Sequence, residues 1–187
     1  MQDPSTPTRA AAAPRQRQGF ALLELTIALL VLTIGLVSMT QAGSRIHALT
    51  RENRERAAAH NALRSTSDRI LARSDEIVRS GLGNWSTTLR ELYGPGGTVG
   101  ETFDVPSLNA IDENTPIGTI TIVTDEQATD AELGVTAGMP RDLDGDGDTD
   151  SPDVGDFATQ LPIILEVRYR GFRGERVVRH VLWVTSV

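Results

Sequence analysis

The feature that most constrains this chain is an uncharged apolar stretch near its N-terminus. The residues from Phe20 to Met39 read FALLELTIALLVLTIGLVSM, and no charged residue occurs from Leu25 to Ser44. About 20 helical residues span about 30 Å, which is the thickness of the hydrocarbon core of a bilayer. The stretch is too long for the apolar region of a typical cleaved signal peptide, and its length disfavours a helix buried in a soluble core. We therefore predict a transmembrane helix over residues 20–44.

Charge is distributed unevenly along the 187 residues. Residues 1–90 carry 12 Arg and 7 acidic residues, whereas residues 91–187 carry 6 Arg and 18 acidic residues, and the formal net charge is −7. This balance disfavours a nucleic-acid-binding protein, which needs a basic surface. The chain has no cysteine, so disulfides, thiolate metal sites and thiol catalysis are excluded.

One carboxylate, Glu24, lies inside the apolar stretch. A charged side chain at the centre of a membrane helix costs roughly 2.5–3.5 kcal/mol on insertion scales, and somewhat less near a helix end. A plain membrane anchor would gain nothing from this charge. Because no oppositely charged residue is close in sequence, we expect a neighbouring molecule to supply the partner of Glu24.

The segment around this carboxylate, Arg15–Glu24 (RQRQGFALLE), resembles the cleavage site of type IV prepilins. That family has a basic leader ending in Gly, then Phe or Met, a few apolar residues, Glu and a long apolar helix. The similarity continues through Leu36 and is greatest to minor pilins of the PilV type and to minor pseudopilins of type II secretion. The resemblance implies that prepilin peptidase removes a leader, residues 1–19, by cutting after Gly19. Phe20 would then become a methylated N-terminus, and Glu24 would pair with the amine of Phe20 in an adjacent subunit.

The same resemblance implies where the protein lies and what it contacts. It predicts a single-pass protein of the inner membrane, with the leader in the cytoplasm and the body in the periplasm or outside the cell. Its partners would be prepilin peptidase and other pilins or pseudopilins in a filament, and no nucleic acid is predicted. Arg residues occur on both sides of the apolar stretch, so this orientation depends on the resemblance.

The helix is predicted to continue into the soluble body. Residues 45–78 contain no Pro or Gly and are rich in good helix formers, and Gly81 and Gly83 provide a stop signal. We therefore predict that residues 45–80 form the periplasmic half of one long helix, although two helices with a kink near Gly43 remain an alternative. The apolar residues of this half are spaced to form one stripe: Ile46, Leu49, Leu63, Ile70 and Ile77.

The remaining residues, 81–187, are predicted to form a globular body with strands. Residues 118–124 (GTITIVT) alternate as a strand does, and residues 161–170 and 175–187 read as a hairpin joined by the turn GFRG. One long helix followed by antiparallel strands predicts an α+β fold. This agrees with the pilin family, in which a long N-terminal helix packs on a small antiparallel sheet.

A dense acidic segment, residues 142–153 (DLDGDGDTDSPD), is the second strong pattern. It has the D-x-D-x-D-G spacing of a calcium loop of the EF-hand type, with Gly147 at the sharp turn and the carbonyl of Asp148 at position 7. Closely spaced carboxylate oxygens favour Ca²⁺ over softer metals. We predict a structural Ca²⁺ site whose ligands come from Asp142, Asp144, Asp146, Asp148, Asp150 and Asp153.

Two alternatives accompany this interpretation. Asp and Gly also mark turns, so the segment could be a solvated acidic loop. The loop is most similar to the dockerin variant, which suggests a membrane-anchored, dockerin-like calcium-dependent binding module as an alternative function. The chain has 3 His and shows no nucleophile elbow, phosphate loop or carboxylate pair outside the acidic segment, so we predict that it is not an enzyme.

Overall fold

The computed structural model describes residues 18–81 and 83–186, the first three of these by their backbone. Most of the predicted leader, residues 1–17, lies outside the described residues, whereas Gly19 and Phe20 fall in the first turn of helix α1. The chain divides by its internal contacts into two units, residues 1–47 and 48–187. The elements, in chain order, are α1 (Gln18–Ser80), α2 (Trp85–Tyr93), β1 (Thr102–Phe103), β2 (Gly118–Ile122), α3 (Asp130–Leu133), β3 (Gln160–Gly171) and β4 (Gly174–Thr185).

The first unit is helical wherever it is described, and its apolar side chains are exposed. The large apolar residues from Leu22 to Met39 are between 53% and 78% exposed. By length and composition this part of α1 is able to cross a membrane. The polar hydroxyls of Thr26, Thr33 and Thr40 each donate to a carbonyl one turn earlier in the same helix, at distances of 2.7–2.8 Å. These hydroxyls are therefore satisfied within the helix and do not oppose an apolar environment.

The second unit contains a four-stranded antiparallel sheet with the order β1-β2-β3-β4. The α+β fold predicted from the sequence is confirmed. The predicted hairpin is present: β3 and β4 pair from Gln160↔Thr185 to Gly171↔Gly174, which leaves Phe172 and Arg173 as a two-residue turn. Alternating residues of this hairpin, such as Leu165 and Leu182, point into the core.

The part of α1 in this unit contributes one face to the core. Leu63, Ile70 and Ile77 are buried at seven-residue intervals, in one cluster with the strand residues. Polar contacts fix the helix to its surroundings: Trp85 Nε1 donates to Ser74 Oγ at 2.8 Å, and Arg176 on β4 pairs with Glu52 at 2.9 Å.

The apolar stripe predicted along α1 is correct only in part. Leu63, Ile70 and Ile77 are buried, but Ile46 is 62% exposed and Leu49 is 49% exposed. Ile46 belongs to the first unit, where no strand is described, and Leu49 lies at the start of the second. Apolar spacing alone therefore predicts the stripe but not the residue at which packing begins.

Strands β3 and β4 carry a charged cluster centred on Glu166. Glu166 accepts hydrogen bonds from Arg179 at 2.5 Å and from Arg168 at 3.1 Å, and Arg179 also donates to the carbonyl of Gly134 at 2.8 Å. Burial raises the pKa of Glu166, but the charges and hydrogen bonds of Arg179 and Arg168 outweigh burial and leave the pKa below its ordinary value of 4.5.

This cluster predicts a specific pH dependence of stability. A carboxylate whose pKa is lower in the folded state contributes stability that is fully present above the unfolded value of 4.5 and is lost as the pH falls through the folded value. We expect Glu166→Gln to lower the free energy of unfolding by about 1 kcal/mol at pH 7. The difference from the wild type should shrink as the pH falls below 4.5 and through the lower folded pKa. Urea denaturation in detergent at pH 7 and pH 3 measures the free energy of unfolding of the wild type and the variant. Glu113→Gln, which changes an exposed carboxylate, is the control.

Candidate metal centre

The acidic segment 142–153 forms a loop that precedes β3 and is folded largely by its own carboxylates. Asp142 accepts hydrogen bonds from the backbone N–H groups of Gly145 (2.5 Å) and Gly147 (3.0 Å). Both glycines have positive φ, 88° and 100°, a conformation that other residues rarely adopt. Further along the loop, Asp144, Asp146 and Asp148 each accept from the backbone N–H two residues later, as in an Asx turn, at 3.0–3.3 Å.

Glu126, a residue outside the acidic segment, accepts hydrogen bonds from the backbone of the loop. Its side chain is fully buried. One oxygen accepts from the N–H of Leu143 at 2.5 Å and of Asp144 at 3.3 Å, and the other accepts from the N–H of Ser151 at 3.3 Å. The backbone N–H of Glu126 also donates to the carbonyl of Ser151 at 3.1 Å. Glu126 therefore connects the start of the loop to its far end.

Three carboxylates converge at this point. Oxygen atoms of Glu126, Asp142 and Asp144 all lie within 4.8 Å of one another, so this group is able to hold a metal ion. Asp142 and Asp144 were predicted as ligands, whereas Glu126 was not. Glu126 lies 16 residues before the loop, outside the spacing of any loop motif, and its own neighbours in sequence give no signal of its role.

The electrostatics of the group favour a cation. In the part of the chain that the structure describes, no Arg forms an ion pair with Glu126, Asp142 or Asp144. The N–H of Asp146 donates to Asp144 and on its own would lower the pKa of that carboxyl. Desolvation and the nearby charges of Asp146, Glu126 and Asp142 outweigh it, so the pKa of Asp144 is raised. A bound cation would offset this repulsion.

The remaining predicted ligands are placed differently. Asp146, Asp148 and Asp150 are exposed, and they do not belong to the converging group. The side chains of Asp148 and Asp150 interact with each other, and this hydrogen bond, together with the charge of Asp148, raises the pKa of Asp150. Their assignment as ligands stays a prediction.

Asp153, at position 12 of the loop, does not belong to the converging group and lies near Arg90 of α2. Its side chain accepts from the N–H of Gly155 at 2.9 Å and lies 3.7 Å from Arg90. The pKa of Asp153 lies below its usual value, mainly because of the hydrogen bond from Gly155. Desolvation raises this pKa, whereas the hydrogen bond with Thr124 and the charge of Arg90 lower it. Its assignment as a ligand also stays a prediction.

The donor set fits a hard divalent cation. All the converging atoms are carboxylate oxygens, and Ca²⁺ binds six to eight oxygen ligands. Zinc and copper favour nitrogen or sulfur ligands, and the converging group contains neither.

The residues predicted for processing, Gly19 and Phe20, and for assembly, Glu24, lie in the first unit, residues 1–47. Glu24 is exposed on α1 among apolar side chains, and no residue in 18–81 or 83–186 forms an ion pair with it. No protein-family model, curated protein or solved structure matches the chain. A long apolar helix together with an α+β body is compatible with a pilin-like fold.

Proposed function

We propose that this protein is a minor pilin or pseudopilin, a structural subunit of a type IV pilus or a type II secretion filament, and not an enzyme. In this proposal prepilin peptidase cuts after Gly19, and the new N-terminus, Phe20, is methylated. The apolar part of α1 first anchors the subunit in the inner membrane, with the body on the periplasmic side. The same helix then packs against other subunits in the filament core.

The observation that carries the proposal is the position of Glu24. It is the one ionisable side chain between Ala21 and Ser44, it is exposed, and it has no ion-pair partner in the described part of the chain. A charge in an apolar environment is tolerated when it meets an opposite charge. The amine that cleavage creates on Phe20 of an adjacent subunit supplies that charge, so cleavage becomes a prerequisite for assembly.

We also propose that the converging carboxylates hold a structural Ca²⁺. Glu126, Asp142 and Asp144 would provide ligands directly, and the metal would tie β2 and its following loop to the segment before β3. The chain has no cysteine and cannot staple this region with a disulfide. Binding to the folded loop alone would supply stabilisation instead.

The N-terminus of the mature protein tests the processing step. We expect mass spectrometry of the protein, co-expressed with a prepilin peptidase, to find a chain that starts at Phe20 and carries one methyl group. Gly19→Leu should leave the leader attached, because the peptidase would no longer find its cleavage residue. An intact Met1 in the wild type under the same conditions would contradict the proposal and indicate a plain membrane anchor.

A further inference from the structure

A groove runs between helix α1 and strand β4, the last strand of the sheet. It encloses about 520 Å³ and is lined by residues of both elements, among them Ser67 and Leu71 of α1 and His180 of β4. A smaller cavity of about 190 Å³ shares Leu71 and continues the groove toward the ends of both elements, where it reaches Trp183. The groove therefore follows β4 along its length.

The outer edge of β4 is unpaired. Among the described residues, β4 pairs only with β3, over 12 residues and without a bulge. The N–H of Arg168 donates to Ile117, which precedes β2, so the odd-numbered residues of β3 bond to β4, because peptide groups alternate along a strand. Their partners are the even-numbered residues of β4, and odd-numbered residues such as Arg179 and Val181 direct their N–H and C=O groups outward. A regular edge of this length is a template for another extended chain.

The lining of the groove includes a buried hydroxyl without a hydrogen-bond partner. Ser67 is 5% exposed, and its Oγ makes no hydrogen bond within the part of the chain that the structure describes. Other hydroxyls of α1, such as those of Ser44 and Ser80, donate to a carbonyl one turn earlier in the same helix. A buried polar group without a partner costs free energy, so a ligand that reaches Ser67 gains a hydrogen bond that the free protein lacks.

The charged groups around Ser67 favour an acidic ligand. The residues of the groove with charged or ionisable side chains are two Arg, two His and one Asp: Arg64, Arg179, His60, His180 and Asp68. Arg179 is already bound to Glu166, whereas Arg64 is exposed and forms no ion pair within residues 18–81 and 83–186. A carboxylate therefore finds several donors here, whereas a cation finds one carboxylate, Asp68. A free guanidinium is also a strong donor to carboxylates.

The apolar residues of α1 on either side of Ser67 match the spacing of an extended chain. Leu63 and Leu71 line the groove four residues before and after Ser67, which is about 6 Å along a helix in each direction. Two residues of a β-strand span about 6.7 Å. Alternate side chains of a strand that pairs with β4 therefore meet Leu63, Ser67 and Leu71 in turn.

We infer that this groove binds an extended acidic segment of a partner protein. The segment pairs with the outer edge of β4 as a fifth strand and places a carboxylate side chain against Ser67 Oγ and Arg64. Apolar side chains two residues before and after the carboxylate pack on Leu63 and Leu71. The inference adds an interaction surface to the subunit, and it depends neither on Glu24 nor on the metal site.

Binding of a defined peptide to the full-length protein in detergent micelles tests this inference. The probe is fluorescein-labelled Thr-Val-Thr-Glu-Thr-Val-Thr, in which the two Val and the Glu share one face of a strand. We expect saturable binding by fluorescence anisotropy, and binding weaker by about tenfold or more when the Glu is replaced by Lys. Methylation of the alternate backbone nitrogens along one edge of the peptide should abolish binding. Methylation along the other edge should not, because only one edge meets β4.

Substitutions in the groove locate the bound peptide. Arg64→Gln should weaken binding about tenfold through loss of the charged partner, and Ser67→Ala about fivefold through loss of one hydrogen bond. Arg69→Gln is the matched control and should leave binding unchanged, because Arg69 is also exposed on α1 but lines a different cavity, beside Tyr93. Thermal unfolding verifies that each variant folds. The peptide changes leave the protein itself unaltered, so they do not depend on this check.

Four results would overturn the inference. The first is no saturable binding of the probe at millimolar concentration, and the second is equal binding of the Glu and Lys peptides. The third is an equal effect of the two methylation patterns. The fourth is a dimer of the protein alone that Val181→Pro dissociates in sedimentation, since a second copy would then occupy the edge; proline is tolerated where the N–H of an edge strand points outward. None of these results bears on cleavage after Gly19.

Discussion

Saturating Ca²⁺ should raise the melting temperature of the full-length protein in detergent by about 10 °C, and Glu126→Gln should remove most of this shift. A ligand at a thousand times its dissociation constant stabilises the folded state by about 4 kcal/mol. In a folded unit of about 140 residues each kcal/mol raises the melting temperature by a few degrees. The expected shift is large because a metal that binds only the assembled loop adds its full binding free energy to folding.

Glu126 is the decisive residue for this test because it has two roles. Its carboxylate accepts from Leu143, Asp144 and Ser151, and it lies beside the predicted ligands Asp142 and Asp144. Gln at this position keeps one accepting oxygen and replaces the other by an NH₂ group, which cannot accept the hydrogen bonds made to that oxygen. We therefore expect two separable effects: a loss of about 1–3 kcal/mol without metal, and loss of the response to Ca²⁺.

The measurement is thermal unfolding in EDTA and in CaCl₂, monitored by tryptophan fluorescence. Glu101→Gln, an exposed carboxylate outside the loop, is the matched control and should keep the full shift. Mg²⁺ should produce a smaller shift than Ca²⁺, because it demands a strict octahedral geometry and dehydrates reluctantly. Equal melting temperatures of the wild type in EDTA and in Ca²⁺ would contradict a structural Ca²⁺ site.

The contrast between Asp142 and Glu126 shows what the sequence can reveal about such a site. The acidic loop is a local pattern, so its Asp and Gly spacing could be recognised in one short segment. Glu126 is brought to the loop by a backbone pairing with Ser151, 25 residues away, and this pairing leaves no local periodicity. A single acidic residue after a predicted strand carries too little information to be selected in advance.

The fold shows the same division between local and long-range information. The two strands of the hairpin are each 12 residues long, and they were predicted close to their observed bounds. Helix α2 was missed because it is only nine residues long, although Asn84 is its N-cap and Pro95 follows its end. These capping signals could have identified it. The exposure of Leu49, in contrast, depends on where the sheet lies, and the spacing of apolar residues does not predict it.

Glu24→Ala should reduce incorporation of the subunit into filaments by roughly two to four orders of magnitude. If Glu24 pairs with the amine of Phe20 in an adjacent subunit, removing the carboxylate leaves that amine uncompensated in the apolar filament core. Breaking one side of a buried ion pair costs about 3–5 kcal/mol, which corresponds to this factor. Glu24→Gln should behave similarly, because the neutral amide does not supply the missing charge.

The direction of this effect separates assembly from membrane insertion. An acidic residue makes insertion of a helix less favourable, so Glu24→Ala should enter the membrane at least as well as the wild type. The two processes are measured by comparing the amount of subunit in the membrane fraction with the amount in sheared filaments. Thr26→Ala is the matched control, because the Thr26 hydroxyl already donates to the carbonyl of Leu23 in its own helix, and we expect its loss to leave incorporation unchanged.

An equal loss from both fractions would indicate a defect in folding or insertion. Undiminished incorporation of Glu24→Ala would contradict the role assigned to this carboxylate, and with it the main support for the proposed function. A selective loss from filaments is expected only if Glu24 acts between molecules. A charge that opposes insertion, and that has no ion-pair partner in the described part of its own chain, would then be explained by the neighbour that it meets after cleavage.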